Sequence, residues 1–405
     1  MKLGSTSNRR SRRGLALGSA VGLGALLAGA GAIWFGIHHT TWMGPALADG
    51  ARAVVGPRAV AWLEDTLYGA QDRWNRWRHG DSAPVSYWAA PSATATLPPP
   101  VESGSAPASD APPAAPGFSL ASFSPPHDRV AAPGDGVWIP ASESTDARGV
   151  MLKTMVHPDP KRPFAAVAIV AMDLQAVRLR AVAGTAEPRT KNPIAKEHRP
   201  GVVDPADVEN LLAAFNGGFL TIHGHYGMMV DGVRFGDPRP TSCTVALYKD
   251  GAVRVRSWPE LEPSEAQMQS FRQTPQCLVE QGKMNPALHS DNTHWGAAVG
   301  GGTVIRRSVI GVSADGRTLF FGMGDALTAK SAADAMVVAG AYDVAQLDVN
   351  HSFPRFMFYD KKAGGSQDLI ASGLIPGFTF KQGDYVKNPS FRDFFYVTRK
   401  ATPTS

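Results

Sequence analysis

From residue 136 onward, short apolar runs alternate with Gly, Asp and Pro positions, and their length suits strands better than helices. Strands are expected at 165–171, 177–183, 211–215, 244–248, 253–258, 307–312, 318–323, 344–348 and 353–359. The stretches 248–253 and 312–317 each pass through Asp-Gly and read as hairpins. Two stretches carry helical spacing. In 204–212, Asp204 is the cap and Pro205 the first helical position. The run 329–339 stops at Gly340, which tolerates left-handed backbone. Many strands and few helices give an α+β class with a mixed β-sheet. No internal repeat is found.

Upstream the pattern changes. Gly14 to Ile37 are 24 consecutive uncharged positions, preceded by Lys2, Arg9, Arg10, Arg12 and Arg13 with no acid. As a helix such a run is roughly 36 Å long, enough for about 30 Å of hydrocarbon. The basic tail stays in the cytoplasm, so the remainder is expected outside it. Three readings stand. One is a retained signal anchor, favoured because a secretory apolar region is usually only about 7–15 residues. The second is a signal cleaved after Ala46-Leu47-Ala48. The third is a twin-arginine signal at Ser11-Arg12-Arg13-Gly14-Leu15.

Residues 51–79 interleave Val54, Val55, Trp62, Leu63, Leu67, Trp74 and Trp77 with charged positions, which reads as an amphipathic helix. Such a helix either lies on the outer membrane face or packs on the main domain. Residues 91–135 hold 11 Pro, 10 Ala and 7 Ser, and cannot build a core. They read as a semi-extended tether. The expected order is therefore a basic cytoplasmic tail (1–13), a transmembrane anchor or signal segment (14–37) and an amphipathic helical segment (38–90). A Pro/Ala/Ser-rich linker (91–135) and one large domain (136–400) follow.

The net charge of +5 is unevenly spread. Residues 1–78 hold ten Lys/Arg against four Asp/Glu, and the remainder holds 30 against 31. The domain has no electrostatic footprint for nucleic acid. Two cysteines exclude a disulfide-framework miniprotein and a Cys-rich zinc module. Cys243 and Cys277 are either a disulfide, which an exported chain permits, or two buried thiols.

Four clusters carry candidate chemistry. The first is Asn216-Gly217-Gly218-Phe219 after a strand, where two glycines permit close approach of backbone amides to a ligand. The second, Gly227 to Gly232, reads as a short strand and an Asp-Gly turn. In the third, Arg307-Ser308-Val309-Ile310-Gly311, an arginine at a strand mouth suits a phosphate or carboxylate. The fourth is the 329–339 helix followed by Leu347-Asp348-Val349-Asn350-His351-Ser352, which delivers Asp348 to a strand end.

In this order and spacing, the four resemble the phosphodiester glycosidase family of the uncovering-enzyme type, over roughly residues 160–360. The family pattern is Asn-Gly-Gly/Thr-Phe-Phe, Gly-x-x-x-Asp-Gly, Arg-Thr-Ala-Ile-Gly, then Leu-Asp-Gly-Gly-Gly-Ser. The departure lies in the last motif. Val349, Asn350 and His351 stand where the family has glycines, and valine resists positive φ.

The resemblance implies hydrolysis of a sugar–phosphate bond through an oxocarbenium-like state. It implies Asp348 as the catalytic carboxylate and Arg307 as the phosphate clamp. Asn216, the Gly217 and Gly218 amides, Ser352, His351 and His225 would contact substrate. No metal and no other cofactor is expected. The expected partners are a glycan or sugar-phosphate substrate and, through the N-terminal helix, a membrane, with the domain periplasmic or extracellular. Nucleic acid is not expected, and no oligomeric state follows.

Two rival readings remain. His223 and His225 flank Gly224, and His-x-His on a strand puts both rings on one face; with Asp348 or Asp291 they would suit zinc and an activated water, with His294 and His351 near the other motifs. Alternatively the domain is a non-catalytic module that binds envelope glycan after losing its glycine loop.

Overall fold

The computed structural model describes residues 57–90, 117–142, 147, 149–290, 295, 304–349, 352–361 and 369–400. The expected anchor at 14–37 and the candidate cleavage site lie outside these residues. Among the described residues no helix is long and apolar enough to cross a membrane. The chain divides into two compact units, Met1–Glu64 and Asp65–Ser405.

In chain order, helix α1 (Pro57–His79) is followed by β1 (Ile139–Pro140), β2 (Met151–Val156), β3 (Val167–Asp173) and β4 (Val177–Val182). A short helix α2 (Pro193–Glu197) leads to β5 (Leu211–Asn216), β6 (Met228–Val230), β7 (Val233–Gly236), β8 (Cys243–Tyr248) and β9 (Val253–Ser257). Helix α3 (Trp258–Leu261) precedes β10 (Met268–Thr274), β11 (Val279–Glu280), β12 (Lys283–Met284) and α4 (Ala287–Ser290). Then come β13 (Ile305–Val312), β14 (Thr318–Leu327), α5 (Ala329–Val338), β15 (Asp343–Gln346), β16 (Phe356–Lys361), β17 (Leu369–Gly373) and β18 (Phe394–Arg399).

The strands form three sheets, ordered β1-β2-β3-β14-β13-β15-β11-β12, β7-β6-β10-β8-β9 and β17-β16-β5-β18-β4. The ladders of β13 with β15 and of β5 with β18 are antiparallel, while Asp384 and Asn388 form an isolated parallel bridge. The sheet-dominated α+β reading with few helices fits. All nine expected strands are present within a few residues of their expected bounds.

Why the runs are almost continuously apolar is clear from β3. Ala168, Val170 and Met172 face a core shared with Phe215, Phe321, Phe356 and Phe395. Val167, Ile169 and Ala171 face a second core under α5, with Ala332, Ala335 and Met336. Both faces of the eight-stranded sheet are therefore covered. Helix α5 starts with a capping box, Thr328 Oγ1 accepting from Ser331 N, and Gly340 follows its end at φ +104°.

Three expectations change. The helix read at 204–212 is a 3₁₀ turn, Pro205–Asn210, still capped by Asp204. Leu211 and Leu212 instead open β5, because they are buried there and the strand pairs with β18. Second, the composition assigns 117–135 to the tether, yet Phe118, Leu120 and Phe123 pack against the core under α5, and Val130 is buried. Scattered aromatics anchor a segment that has too much proline for regular structure. Third, among the described residues of 38–90 the helix runs Pro57–His79, and beyond it Tyr87 packs inward, its hydroxyl donating to Ala166 O at 3.0 Å. Burial pushes the Tyr87 phenol up.

Cys243 and Cys277 form a disulfide across 34 positions. In the chain-entropy account such a loop contributes roughly 3–4 kcal/mol.

Candidate active site

The corner after β5 is built around Asn216, whose side chain is buried and fully employed. Its Nδ2 donates to Ser308 Oγ at 2.9 Å and to Gly217 O at 3.2 Å, and its Oδ1 accepts from Arg355 N at 3.1 Å. One side chain thus joins β5, β13 and the segment entering β16. Ser308 passes the link on, its hydroxyl donating to the Asp348 carbonyl at 2.9 Å. Asp348 N donates to Gly217 O at 3.1 Å. The first, third and fourth motifs therefore meet at one point, just past the C-terminal end of β15.

The diglycine is packed from below. Gly217 N donates to Asp393 O at 3.0 Å and Gly218 N to Asp393 Oδ2 at 2.9 Å. Asp393 is clamped in turn by Arg272, Nε to Oδ2 at 2.8 Å and Nη2 to Oδ1 at 3.2 Å, both residues buried. A Cβ on Gly217 would lie 2.1 Å from Asp393 Oδ2, and one on Gly218 would lie 2.7 Å from Arg272 Cζ. The glycines are required by this packing, and their amides are engaged within the protein.

Asp348 is 3% exposed. Its Oδ2 meets Arg392 Nη1 in a buried ion pair, and the Arg392 guanidinium lies over the Phe353 ring at 3.5 Å. Phe353 follows Ser352, whose carbonyl accepts from Arg355 Nη2 at 2.9 Å. Arg355 also pairs with Asp384 at 3.0 Å. Val349 is half-buried. Asn350 and His351 lie outside the described residues.

Arg307 projects differently. It is wholly buried, with Nε donating to Leu327 O at 3.0 Å and Nη1 to Trp295 O at 2.7 Å and Gln346 Oε1 at 2.6 Å. Its neighbour Ser308 serves the Asn216 corner, so by strand alternation Arg307 points to the α5 side of the sheet. Burial pushes its pKa down to about 9. It braces the ends of β14 and β15 rather than lying open at a strand mouth.

His223 and His225 are both exposed, on the 3₁₀ turn Thr221–His223 and just after it, not on a strand. Among the described residues no group of three or more His, Cys, Asp or Glu is placed to hold a metal. Asp291 and His294 lie outside those residues. An open cleft of about 930 Å³ lies along β6, β7 and β10. Asp231 and Gly232 of the second motif line it, but no residue of the Asp348 corner does. Of its charged residues, Arg234 pairs with Glu265 and Arg180 with Asp207.

Arg272, Arg392 and Asp393 were not among the sequence candidates. They lie outside every short motif, and Asp393 meets Gly218 across a separation of 175 residues. The Arg-Asp dipeptide 392–393 opening an aromatic run was the only local signal.

Residues 209–348 match the model of a family described as phosphodiester glycosidase. This stretch is of the phosphodiester glycosidase family. The match begins just before β5 and ends at Asp348, so it spans the corner, Ser308 and the carboxylate. Among solved structures, the catalytic domain of a zebrafish N-acetylglucosamine-1-phosphodiester alpha-N-acetylglucosaminidase, auto-inhibited by its pro-peptide, aligns at 14% identity and a TM-score of 0.40. That alignment covers 71% of this chain and 97% of that one. A hypothetical protein from Synechocystis aligns at 11% identity and a TM-score of 0.39, covering 62% of each chain. Both likenesses are too loose to assign roles to residues. No curated protein matches the chain.

Proposed function

We propose that this phosphodiester glycosidase-like domain hydrolyses a glycosyl phosphodiester, with Asp348 and Arg392 as its reacting pair. The observation that carries the reading is the convergence of Asn216, Ser308 and Asp348 at one strand end, with a guanidinium already on the carboxylate. A phosphodiester anion takes the place of the carboxylate on Arg392, a bidentate site for phosphate. The freed Asp348 carboxylate then faces the anomeric carbon and stabilises its developing positive charge. The C1–O bond breaks, its electron pair leaves on the phosphate oxygen, and water adds to C1 and loses a proton. The products are a free sugar and a phosphomonoester. A phosphate leaving group needs little protonation, so a second carboxylic acid is not required.

The setting we propose is the bacterial envelope, with residues 14–37 as the anchor, the domain periplasmic or extracellular, and an envelope or extracellular glycan as the source of substrate. The disulfide supports an oxidising compartment, and the basic tail supports the orientation.

A second reading has its own support. Asp348 is nearly inaccessible, and the diglycine amides are engaged by Asp393. A domain in which the pair never opens binds glycan without turnover. Purified protein with a sugar phosphodiester separates the two. The hydrolase releases free sugar, and Asp348→Asn abolishes release at a temperature below its lowered but still cooperative melting transition. Saturable binding with no product at any concentration rejects the hydrolase and leaves the binding module.

A further inference from the structure

Helix α1 is turned the wrong way round for a helix of a soluble domain. In its part within the second unit, the face toward the domain is polar. Asp72 is buried, and both its oxygens accept from Arg162, Nε to Oδ1 and Nη2 to Oδ2, at 2.7 Å each. Arg76 and His79, one and two turns on, share that face; Arg76 pairs with Asp72, and the His79 ring lies 6.2 Å from that of Phe164. The opposite stripe, Ala70, Trp74 and Trp77 at helical spacing, faces solvent. Trp74 is 55% exposed and Trp77 76%, their rings 4.9 Å apart. Arg73 and Arg78 border the pair and are also exposed.

We infer that this stripe is a membrane-contact surface: Trp74 and Trp77 enter the headgroup region of a bilayer while Arg73 and Arg78 meet lipid phosphates. Trp is the side chain best suited to that boundary, with an apolar body and a donor at its edge. The upstream sequence places a bilayer within reach. Only residues 38–56 separate the uncharged run from the start of α1, a span of at most about 65 Å when fully extended. A second copy of the chain is the weaker occupant. Two tryptophans at roughly 150–250 Å² each, met by the same pair, fall short of the 1,200 Å² or so of a stable interface. The polar, ion-paired attachment of α1 sets the stripe outward, which a helix packed for stability alone would not do. This contact is independent of whether the domain hydrolyses anything.

The test uses the full-length chain reconstituted into phosphatidylcholine vesicles with or without phosphatidylglycerol. An environment-sensitive fluorophore is placed at Arg73→Cys, and in a control at Asp237→Cys, where the native side chain is 91% exposed. The native cysteines are bonded to each other and take no label. At position 73, emission shifts to the blue and iodide quenching falls several-fold relative to position 237, most strongly with the anionic lipid. Adding Trp74→Ser and Trp77→Ser to the labelled chain restores quenching. Equal quenching at 73 and 237 overturns the inference. So does protection that persists in detergent solution and coincides with a cross-linked dimer, which assigns the stripe to a second copy.

Discussion

Asp348 donates its backbone N–H to the carbonyl of Gly217 at 3.1 Å, so the end of β15 and the corner after β5 are a single joint. Ser308 makes the joint rigid by accepting from Asn216 and donating to the Asp348 carbonyl. Ser308 touches no reacting atom in the proposed reaction. It is a positioning residue, and Ser308→Ala tests it. The substitution leaves a buried amide hydrogen and a buried carbonyl without their partner, at a cost of about 1–3 kcal/mol. In steady-state assays kcat should fall while KM stays nearly constant, because the carboxylate is misplaced and the phosphate-binding Arg392 is not. A purely structural role would lower stability in urea unfolding and leave both constants of the folded fraction alone.

The Asp348–Arg392 pair makes a different demand. Both side chains are about 5% exposed, so removing one partner strands the other's charge in the interior. Asp348→Asn and Arg392→Gln are each expected to cost about 3–5 kcal/mol, and the double variant less than their sum. Urea unfolding of all four proteins measures the coupling. Additive losses would mean that the two groups do not depend on each other, and the exchange of carboxylate for phosphate would lose its basis.

What the sequence makes legible follows the range of the forces involved. Strands of the large sheet are readable where both faces are covered, because the run is then continuously apolar, as in residues 167–172 of β3 and 319–323 of β14. Helix α5 was readable from a cap and a stop that act within a few residues. By contrast β10, with Arg272 and Gln273 in its second half, has no apolar signature. Its polar groups are satisfied by Asp393, Thr244 and Arg239, which are distant in sequence. At the site, the Asn-Gly-Gly corner and Asp348 were visible as short motifs. The partners that define their chemistry were not, since Arg392 reaches Asp348 from 44 residues away. Strand alternation turns Arg307 away from Ser308, so it is buried on the α5 side and is not an open clamp.

The diglycine offers a test free of substrate. Gly217→Ala places a methyl against Asp393 Oδ2 and its carbonyl, and Gly218→Ala places one against the Arg272 guanidinium. Neither neighbour can yield without breaking the buried Arg272–Asp393 clamp. Overpacking of this kind typically costs about 1–3 kcal/mol, and loss of the clamp adds to it. Gly232→Ala is the contrast. Nothing lies within 4 Å of its added carbon, and only its φ of +81° resists the change. Thermal unfolding should therefore rank the alanine variants at 217 and 218 well below the variant at 232. Equal melting points would show that the corner has room, and that its glycines are kept for something other than packing.

Arg307 carries a pH signature with a definite sign. Burial disfavours its charge and brings its pKa to about 9, whereas in the unfolded chain the guanidinium holds its proton to far higher pH. Below about pH 9 the charge is present in both states, and the folded protein bears the full cost of burying it. As pH rises above that value the folded state releases the proton first. The unfolded state then binds more protons, so this group's contribution to stability increases with pH, by at most about 1.4 kcal/mol per unit. Lysines, tyrosines and other groups titrate in the same range, so the measurement is a difference. Urea unfolding of the wild type and of Arg307→Met is compared at about pH 8 and about pH 10.5. The wild type should gain relative to the variant on going to the higher pH. Parallel pH dependences would show that three acceptors, Leu327 O, Trp295 O and Gln346 Oε1, hold the cation charged throughout, and that its burial is already compensated.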